Sequence, residues 1–451
     1  MQTFTPYKAL TRIHAIFAFA FIAVLSFCAC SNSEGVDYAN YAEIADDNDV
    51  PSDGDYPQTQ DASSSSKVID YLPLDDTEYP YAGIPRIVIE TENNREIKDR
   101  ETEIPAKLQI WGEKAPESEI MPLTIRGRGN SSWTLPKKSY KIEFTDKQGL
   151  LGMPKDRDWA LIANHYDTTM IRNYIANYIS GMSNTLYTPK NRFVEFFLNG
   201  KYKGTYQLFE TLKISKSRIN IGKENFLLEV DNHPKTKDVS FYVVHIPSPI
   251  KIHSSSISKN DSIYNYIQKE ICHIDSVLFS NNFLDDEIGY RKYIDIDALV
   301  DWFAITEITK NASSRLNWYM TYERGKKLKM GPFWDYDLAF GNTLWGLDAN
   351  NVPGFWTDSI SWFTRFSQDS VFKHKATERL DYFYNKKESI LDEIDNIAQS
   401  LKQSAVQNDK LWNVLNCTSC SRDEIEQKYN EHVLKMKNWL IQRLEWLKET
   451  K

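Results

Sequence analysis

Two aspartates one residue apart, Asp335 and Asp337, give "GPFWDYDLAFGN" (331–342) the residue types that a metal site needs. If this stretch is a strand, alternate positions point the same way and both carboxylates face one side. Carboxylate oxygens are suitable ligands for magnesium, whose other ligands are mainly phosphate and water. Like charges this close repel, so a cation or a basic neighbour is needed. The spacing indicates either a metal site or a well-packed strand end.

A glycine-rich stretch, "RGRGNSSW" (126–133), has the composition of an anion-binding turn. Gly127 and Gly129 permit tight backbone turns, and Arg126, Arg128 and exposed amides could meet an anion. A plain hairpin turn is the alternative.

Three lysines follow in "PKKSYKIEF" (136–144). Lys141 lies within the strand pattern, and Lys137 and Lys138 lie at its start. A lysine on a strand after a glycine-rich turn is where a kinase-like lobe places its phosphate-contacting ammonium. Lysines also blunt solvated strand edges, which is the alternative.

Glu307 and Asn311 form a fourth candidate pair, in "ITEITKN". The i, i+4 spacing puts both on one helix face. An asparagine closing a helix is usually a C-cap, and a metal or nucleotide contact is the alternative.

The elements that must position these residues are strands first and helices later. Alternating segments predict strands from residue 84 onward, including a hairpin in "RFVEFFLNGKYKGTYQLFE" with its turn at Asn199-Gly200. A second hairpin turns at Arg324-Gly325. Helical spacing dominates 260–310 and everything beyond 355. The order predicts an α+β domain with two lobes.

Net charge excludes one function class. The value of −8 argues against a general nucleic-acid binder, although basic stretches such as "PKKSYK" could still hold phosphate.

The N-terminus reads as an export signal, residues 1–30. Lys8 and Arg12 precede a short apolar stretch that ends at a lipobox-like site, with Cys30 as the lipid-bearing residue. A plain secretory signal or a membrane anchor is the alternative. Residues 31–83 are rich in Asp, Ser and Tyr and predict a disordered tether.

The remaining cysteines, Cys272, Cys417 and Cys420, have patterns that indicate structural roles and not a metal site. "CTSC" (417–420) lacks the second half of a zinc site and predicts a local disulfide in an exported protein, with a redox role as the alternative. Cys272 falls in a helical pattern and predicts a buried apolar residue.

In combination, these motifs resemble the CotH family, the spore-coat protein H kinases with an atypical protein-kinase-like fold. The matching stretches run from about residue 86 to about residue 380. They are "IRGRGNSSW", "PKKSYKIEF", "LLGMPKDRDWALIANHYDTTMIRN", "RFVEFFLNGKYKGTYQLFE", "FLLEVD", "TEITKN" and "GKKLKMGPFWDYDLAFGN". The lipoprotein signal and acidic tether resemble those of Bacteroidetes relatives.

The resemblance implies binding of ATP and of magnesium or manganese, and phosphotransfer to protein Ser or Thr. Carried over, Lys141 or Lys138 contacts phosphates, with Arg128 nearby, and Glu210 lies along the nucleotide pocket. Asp337 or Asp335 holds the metal together with Asn311.

One departure concerns the catalytic base. Many relatives read Asn-x-Asp after the "ELTKN"-like helix, whereas here the run is "KNASSRLN", with Ser313 at the aspartate position. A serine cannot accept the substrate proton as a carboxylate does, which typically costs about 10²–10⁴-fold.

Three hypotheses follow for a chain with a kinase-like domain at 84–385 and a packed helical segment at 386–451. It is an active surface or periplasmic kinase acting on exported proteins, a weakened relative that serves as a binding module, or an enzyme using another phosphorylated donor. Under each hypothesis, we expect the protein to be a lipoprotein anchored in the outer membrane or at the cell surface.

Overall fold

A closed seven-stranded barrel forms the N-terminal part of the folded chain. A computed structural model describes residues 71–253, 257–343 and 348–450. The barrel strands are β1 (Arg86–Thr91), β2 (Ile104–Trp111), β3 (Met121–Arg128), β4 (Ser139–Gln148), β5 (Asp156–Ile162), β6 (Asn191–Leu198) and β7 (Lys201–Glu210). Their order is β1-β2-β3-β4-β5-β7-β6, and β6 closes the barrel by pairing parallel to β1.

Local sequence explains much of the barrel. In β4, Tyr140, Ile142 and Phe144 are buried in the core while the intervening Lys141 and Glu143 stay half-buried, because side chains alternate across a strand. The β6–β7 hairpin turns at Asn199-Gly200, where both residues have the positive φ that a tight hairpin turn requires. The predicted hairpin is confirmed.

A second, five-stranded sheet adjoins the helices. Its strands are β8 (Phe226–Val230), β9 (Ser240–Phe241), β10 (Ile250–Ile252), β11 (Trp318–Tyr322) and β12 (Lys329–Met330), in the order β12-β11-β8-β10-β9. The β11–β12 hairpin carries the predicted turn, with Gly325 at φ +69°. β12 leads directly into the segment that holds the two aspartates.

Eight α-helices complete the described chain, and most follow the barrel. They are α1 (Arg172–Gly181), α2 (Ser262–Leu278), α3 (Ile296–Thr309), α4 (Ser361–Phe366), α5 (Ser370–Asn385), α6 (Lys387–Ser400), α7 (Lys402–Trp412) and α8 (Arg422–Thr450). The α+β class is confirmed, whereas a kinase-like pair of lobes stays a prediction. Within the described ranges, no helix has the length and apolar character needed to cross a membrane.

The last helix, α8, is the amphipathic segment expected from its spacing, with Val433, Met436, Leu440 and Leu444 buried. The turn before it contains the expected disulfide, Cys417–Cys420. Cys272 in α2 is half-buried rather than fully enclosed.

The folded chain begins before residue 84. Leu72 is buried and donates its backbone N–H to Gln109 at 3.0 Å, and Tyr79 stacks on Tyr202 of β7. Residues 71–83, assigned to the tether from composition, therefore pack against the barrel through these scattered apolar side chains. The signal peptide at 1–30, Cys30 and the tether up to residue 70 lie outside the described residues.

Candidate functional site

A cleft of about 450 Å³ brings several of the candidate residues together. Its walls are the glycine-rich turn after β3, the chain after β5, the end of β8, the turn after α3 and the segment after β12. The side chains there that could carry chemistry include Arg128, Lys137, His165, Glu229, His233, Ser313, Asp335 and Asp337.

The two aspartates lie on a loop, which corrects the strand expected from their alternation. β12 ends at Met330, and Asp335 adopts a left-handed backbone with φ +69°, which no strand contains. Asp335 is nevertheless exposed to the cleft and Asp337, half-buried, lines it too. We call residues 333–342 the acidic loop.

Side chains from distant elements hold the acidic loop. The N–H of Tyr336, between the two aspartates, donates to Asn173 Oδ1 of α1 at 2.7 Å. Asn311 Nδ2 donates to the carbonyl oxygen of Asp335 at 2.9 Å, and Arg172 Nε donates to that of Ala339 at 3.0 Å. The loop backbone is therefore fixed from both sides.

Electrostatics leave the aspartate pair short of positive charge. Desolvation between the cleft walls and the Glu229 carboxylate raise the pKa of Asp335, while the Arg128 guanidinium opposes the rise. Burial, Asp335 and Asp167 raise the pKa of Asp337 well above its ordinary value. A divalent cation would relieve this repulsion, and carboxylate oxygens are the donors that magnesium and manganese prefer. The pair therefore fits such an ion.

The protein offers few other ligands. Among the described residues, no group of three or more His, Cys, Asp or Glu side chains is arranged to hold a metal. An ion on Asp335 and Asp337 would depend on phosphate and water for its remaining ligands, as magnesium commonly does.

Arg128 is the cation placed best for an anion in the cleft. Its guanidinium lies 5.1 Å from the centre of the Trp334 ring and makes no hydrogen bond or ion pair with any described residue. Burial lowers its pKa, and Asp335 counteracts that effect. The guanidinium retains its hydrogen-bond donors for a ligand.

Lys137 also borders the cleft, although its ammonium already has partners. It is 1% exposed and donates to the backbone oxygen of Thr205 and to Asn408 Oδ1 of α7, the latter at 2.7 Å. Burial lowers the pKa of Lys137 to about 7, with Glu195 opposing the shift.

Three residues proposed for nucleotide contact lie outside the cleft lining. Lys141 is on the outer face of β4 in ion pairs with Glu143 at 2.9 Å and Asp158 at 2.8 Å. Lys138 donates to the backbone oxygen of Trp133 at 2.5 Å. Their predicted roles gain no support from position.

Glu210 is the third of them. It is buried, pairs with Arg218 at 2.8 Å and accepts a hydrogen bond from the Tyr187 hydroxyl at 2.6 Å. Because both carboxylate oxygens are engaged inside the protein, its position indicates a packing role.

The turn after α3 differs from the expected helix end. Lys310, with φ +44°, takes the C-cap position, and Asn311 instead caps the following 3₁₀ turn by accepting the N–H of Ser313 at 3.2 Å. Ser313 lines the cleft. Asn311 therefore positions both Ser313 and Asp335.

Glu307, the proposed partner of Asn311, faces the other way. It is fully buried and pairs with Arg443 of α8 at 2.8 Å, and burial raises its pKa. It stabilises the packing of α8 on α3.

His165 and Glu229 are among the cleft residues that were not found from the sequence. Glu229 accepts hydrogen bonds from the Tyr319 hydroxyl and from His253, both at 2.7 Å. Although burial opposes it, the contact with His253 holds the pKa of Glu229 below its ordinary value. Both residues stand in quoted motifs, "FLLEVD" and "ANHYD", but neither has a local pattern that signals a cleft.

The barrel, the helical C-terminal part and the cleft define an α+β protein in which a glycine-rich turn and the carboxylates of Asp335 and Asp337 line one cleft. A sequence model described as CotH kinase protein matches residues 125–447, so the chain belongs to the CotH kinase protein family. The match runs from β3 into α8 and includes the acidic loop. Comparison with curated proteins gives no match.

Proposed function

We propose that the cleft binds ATP with magnesium or manganese, and that the protein phosphorylates Ser or Thr of exported or surface proteins. The observation that supports this most is the position of Arg128. It borders the same cleft as Asp335 and Asp337, and apart from its contact with the Trp334 ring it makes no hydrogen bond or ion pair with a described residue. A guanidinium with unused donors, beside two carboxylates that form no ion pair with a described residue, suits a bound phosphate together with a metal ion.

The residues that line the cleft would have distinct roles in binding. The turn at 129–132 offers backbone N–H groups and, with Arg128, holds phosphate oxygens. Asp335 and Asp337 hold the metal, which supplies positive charge where phosphate charge develops. Asn311 and Asn173 keep the acidic loop in place. Phosphoryl transfer depends largely on such positioning and electrostatics.

The nucleotide test compares binding by the purified full-length protein with and without Mn²⁺, using titration calorimetry. We expect metal-dependent binding that Asp337→Asn abolishes and that Asp146→Asn, an exposed aspartate of β4, leaves unchanged. A wild type that binds no better than Asp337→Asn would remove the proposed site.

A second comparison separates the two candidate cations. We expect Arg128→Ala to weaken nucleotide binding by about 10-fold or more, because a charged hydrogen bond is worth about 1.5–3 kcal/mol. Lys141→Ala should leave binding within error, because Lys141 is paired with Glu143 and Asp158 on the outer barrel face. A larger loss of nucleotide affinity in Lys141→Ala than in Arg128→Ala would show that Lys141 contacts the phosphates.

Ser313 favours a second candidate function, a surface binding module with little turnover. It lines the cleft where relatives carry the presumed catalytic aspartate. Label transfer from γ-labelled ATP decides between the two, and transfer no greater than that of Asp337→Asn would leave only the binding module.

We also propose that the protein is exported and anchored in the outer membrane or at the cell surface through a lipid on Cys30. The support is the lipobox-like sequence alone. Metabolic labelling with a fatty-acid analogue should mark the wild type and not Cys30→Ser. Equal labelling of both proteins would reject the anchor.

A further inference from the structure

A histidine occupies the cleft from which the presumed catalytic aspartate is missing. His165 follows β5, and its side chain lines the cleft together with Ser313 and Asp337. Ser313 cannot act as a carboxylate base, so a different proton acceptor would have to serve any transfer to a hydroxyl.

A buried amide network fixes the backbone that presents His165. Asn164 adopts φ +49°, and its Nδ2 donates to Gln207 Oε1 of β7 at 3.0 Å. Its Oδ1 accepts from Asn173 Nδ2 at 3.0 Å, and Asn173 in turn accepts the N–H of Tyr336. The same network therefore positions His165 and the acidic loop.

A second set of contacts brings residues 165 and 166 next to both the acidic loop and the turn after α3. Asn342 Nδ2 donates to the carbonyl oxygen of Tyr166 at 3.0 Å and to that of Asp337 at 2.7 Å. The Tyr166 side chain packs against the small apolar cluster of Ala312, Leu338, Ala349 and Trp356, which includes neighbours of Ser313 and Asp337. His165 and Ser313 therefore line one cleft, on chain segments that are joined through the acidic loop.

The imidazole has a nitrogen available. It is half-buried, neither ring nitrogen makes a hydrogen bond to a described residue, and Nδ1 is enclosed without a partner. Burial and the charge of Lys137, the ionisable group facing it, lower the pKa of His165. The ring is therefore neutral near pH 7 and can accept a proton.

We propose that His165 is the general base for the acceptor hydroxyl, an inference that rests on the proposed function of the cleft. The acceptor oxygen forms its bond to the γ-phosphorus as the bond from that phosphorus to the β–γ bridging oxygen breaks. ADP leaves, and the hydroxyl proton passes to a ring nitrogen of His165 and then to water. No other bond changes.

The test uses the full-length protein, γ-labelled ATP with Mn²⁺, and a peptide copying residues 61–67 of this chain, "DASSSSK". We expect His165→Ala to keep its nucleotide affinity and to transfer label about 10²-fold more slowly than wild type at saturating substrate. The wild-type rate should fall as pH is lowered, and the rate of His165→Ala should not show this fall. Added imidazole should restore part of the rate. His374→Ala, at an exposed position of α5, is the matched control and should behave as wild type.

A readout independent of turnover is carbethoxylation of His165, followed by mass spectrometry. The ring should react in the free protein and be protected when the Mn²⁺–nucleotide and the peptide are bound. Unchanged transfer in His165→Ala, absent protection, or nucleotide binding by wild type without any transfer would each overturn the role of His165. A wild type that binds no nucleotide would instead overturn the proposed function itself.

Discussion

Asn173 of α1 accepts the backbone N–H of Tyr336 at 2.7 Å, and this bond fixes the residue between Asp335 and Asp337. The same amide donates to Asn164, which precedes His165. Two chain segments with chemistry-bearing side chains are therefore held by one buried asparagine. Its position explains how a loop without strand pairing keeps both carboxylates at the cleft.

Asn173→Ala should lower the free energy of unfolding by about 1–3 kcal/mol, because it leaves the buried N–H of Tyr336 without an acceptor. Metal-dependent nucleotide affinity should fall as well, since the aspartates lose their support. Chemical denaturation and calorimetry measure the two effects. A loss of stability without loss of affinity would limit Asn173 to packing.

Asp337→Asn should have opposite effects on stability and binding. In the metal-free protein it removes a carboxylate repelled by Asp335 and Asp167, so the free energy of unfolding should rise by about 1 kcal/mol. The variant should still lose metal-dependent nucleotide binding. Thermal unfolding without metal measures the first effect, and a decrease in Tm would show that Asp337 is stabilising.

The raised pKa of Asp337 also sets a pH dependence. A group whose folded pKa is raised stabilises the protein fully below its unfolded pKa and loses that contribution as pH rises through the folded pKa. Metal competes with the bound proton, so Mn²⁺ affinity should increase with pH through the same range. Asp335, Asp167 and Arg172 face this carboxyl group and shape the transition. Titrations of the wild type with Mn²⁺ at several pH values should show this slope, and an affinity that does not change with pH would contradict it.

Helix α8 braces the acidic loop at Gly341. This residue has φ +72°, and a Cβ atom there would come within 2.7 Å of the Trp439 ring. Gly341→Ala should cost about 1–3 kcal/mol from backbone strain alone and more from the overlap. Adding Trp439→Ala to this variant should restore only the part of the free energy of unfolding that the steric overlap costs. Fully additive losses in the double variant would show that the two residues do not contact each other.

Local features were predictable from the sequence because short-range physics decides them. Asn199-Gly200 specifies a tight hairpin turn, and the alternation in β4 separates Tyr140 from Lys141. The same alternation predicts that Lys141 points away from the core. The local sequence does not predict that Asp158 lies on that outer face and forms an ion pair with Lys141.

The site itself depends on contacts between distant residues. Lys137 meets Asn408 across 271 positions, and Asn173 meets Tyr336 across 163. Neither pair has a periodicity, so the sequence could not reveal them. The acidic loop shows the opposite problem, since Asp335 and Asp337 alternate like strand residues but lie on a loop held by side chains.

The most direct measurement is anomalous diffraction from crystals of the protein with Mn²⁺ and a non-hydrolysable ATP analogue. The cleft proposed here requires a manganese peak at coordination distance, about 2.1 Å for an ion of magnesium's size, from carboxylate oxygens of Asp335 and Asp337. Phosphate density should lie against Arg128 and the turn at 129–132. Manganese and nucleotide bound elsewhere, touching neither aspartate, would show that the acidic loop is not the metal site.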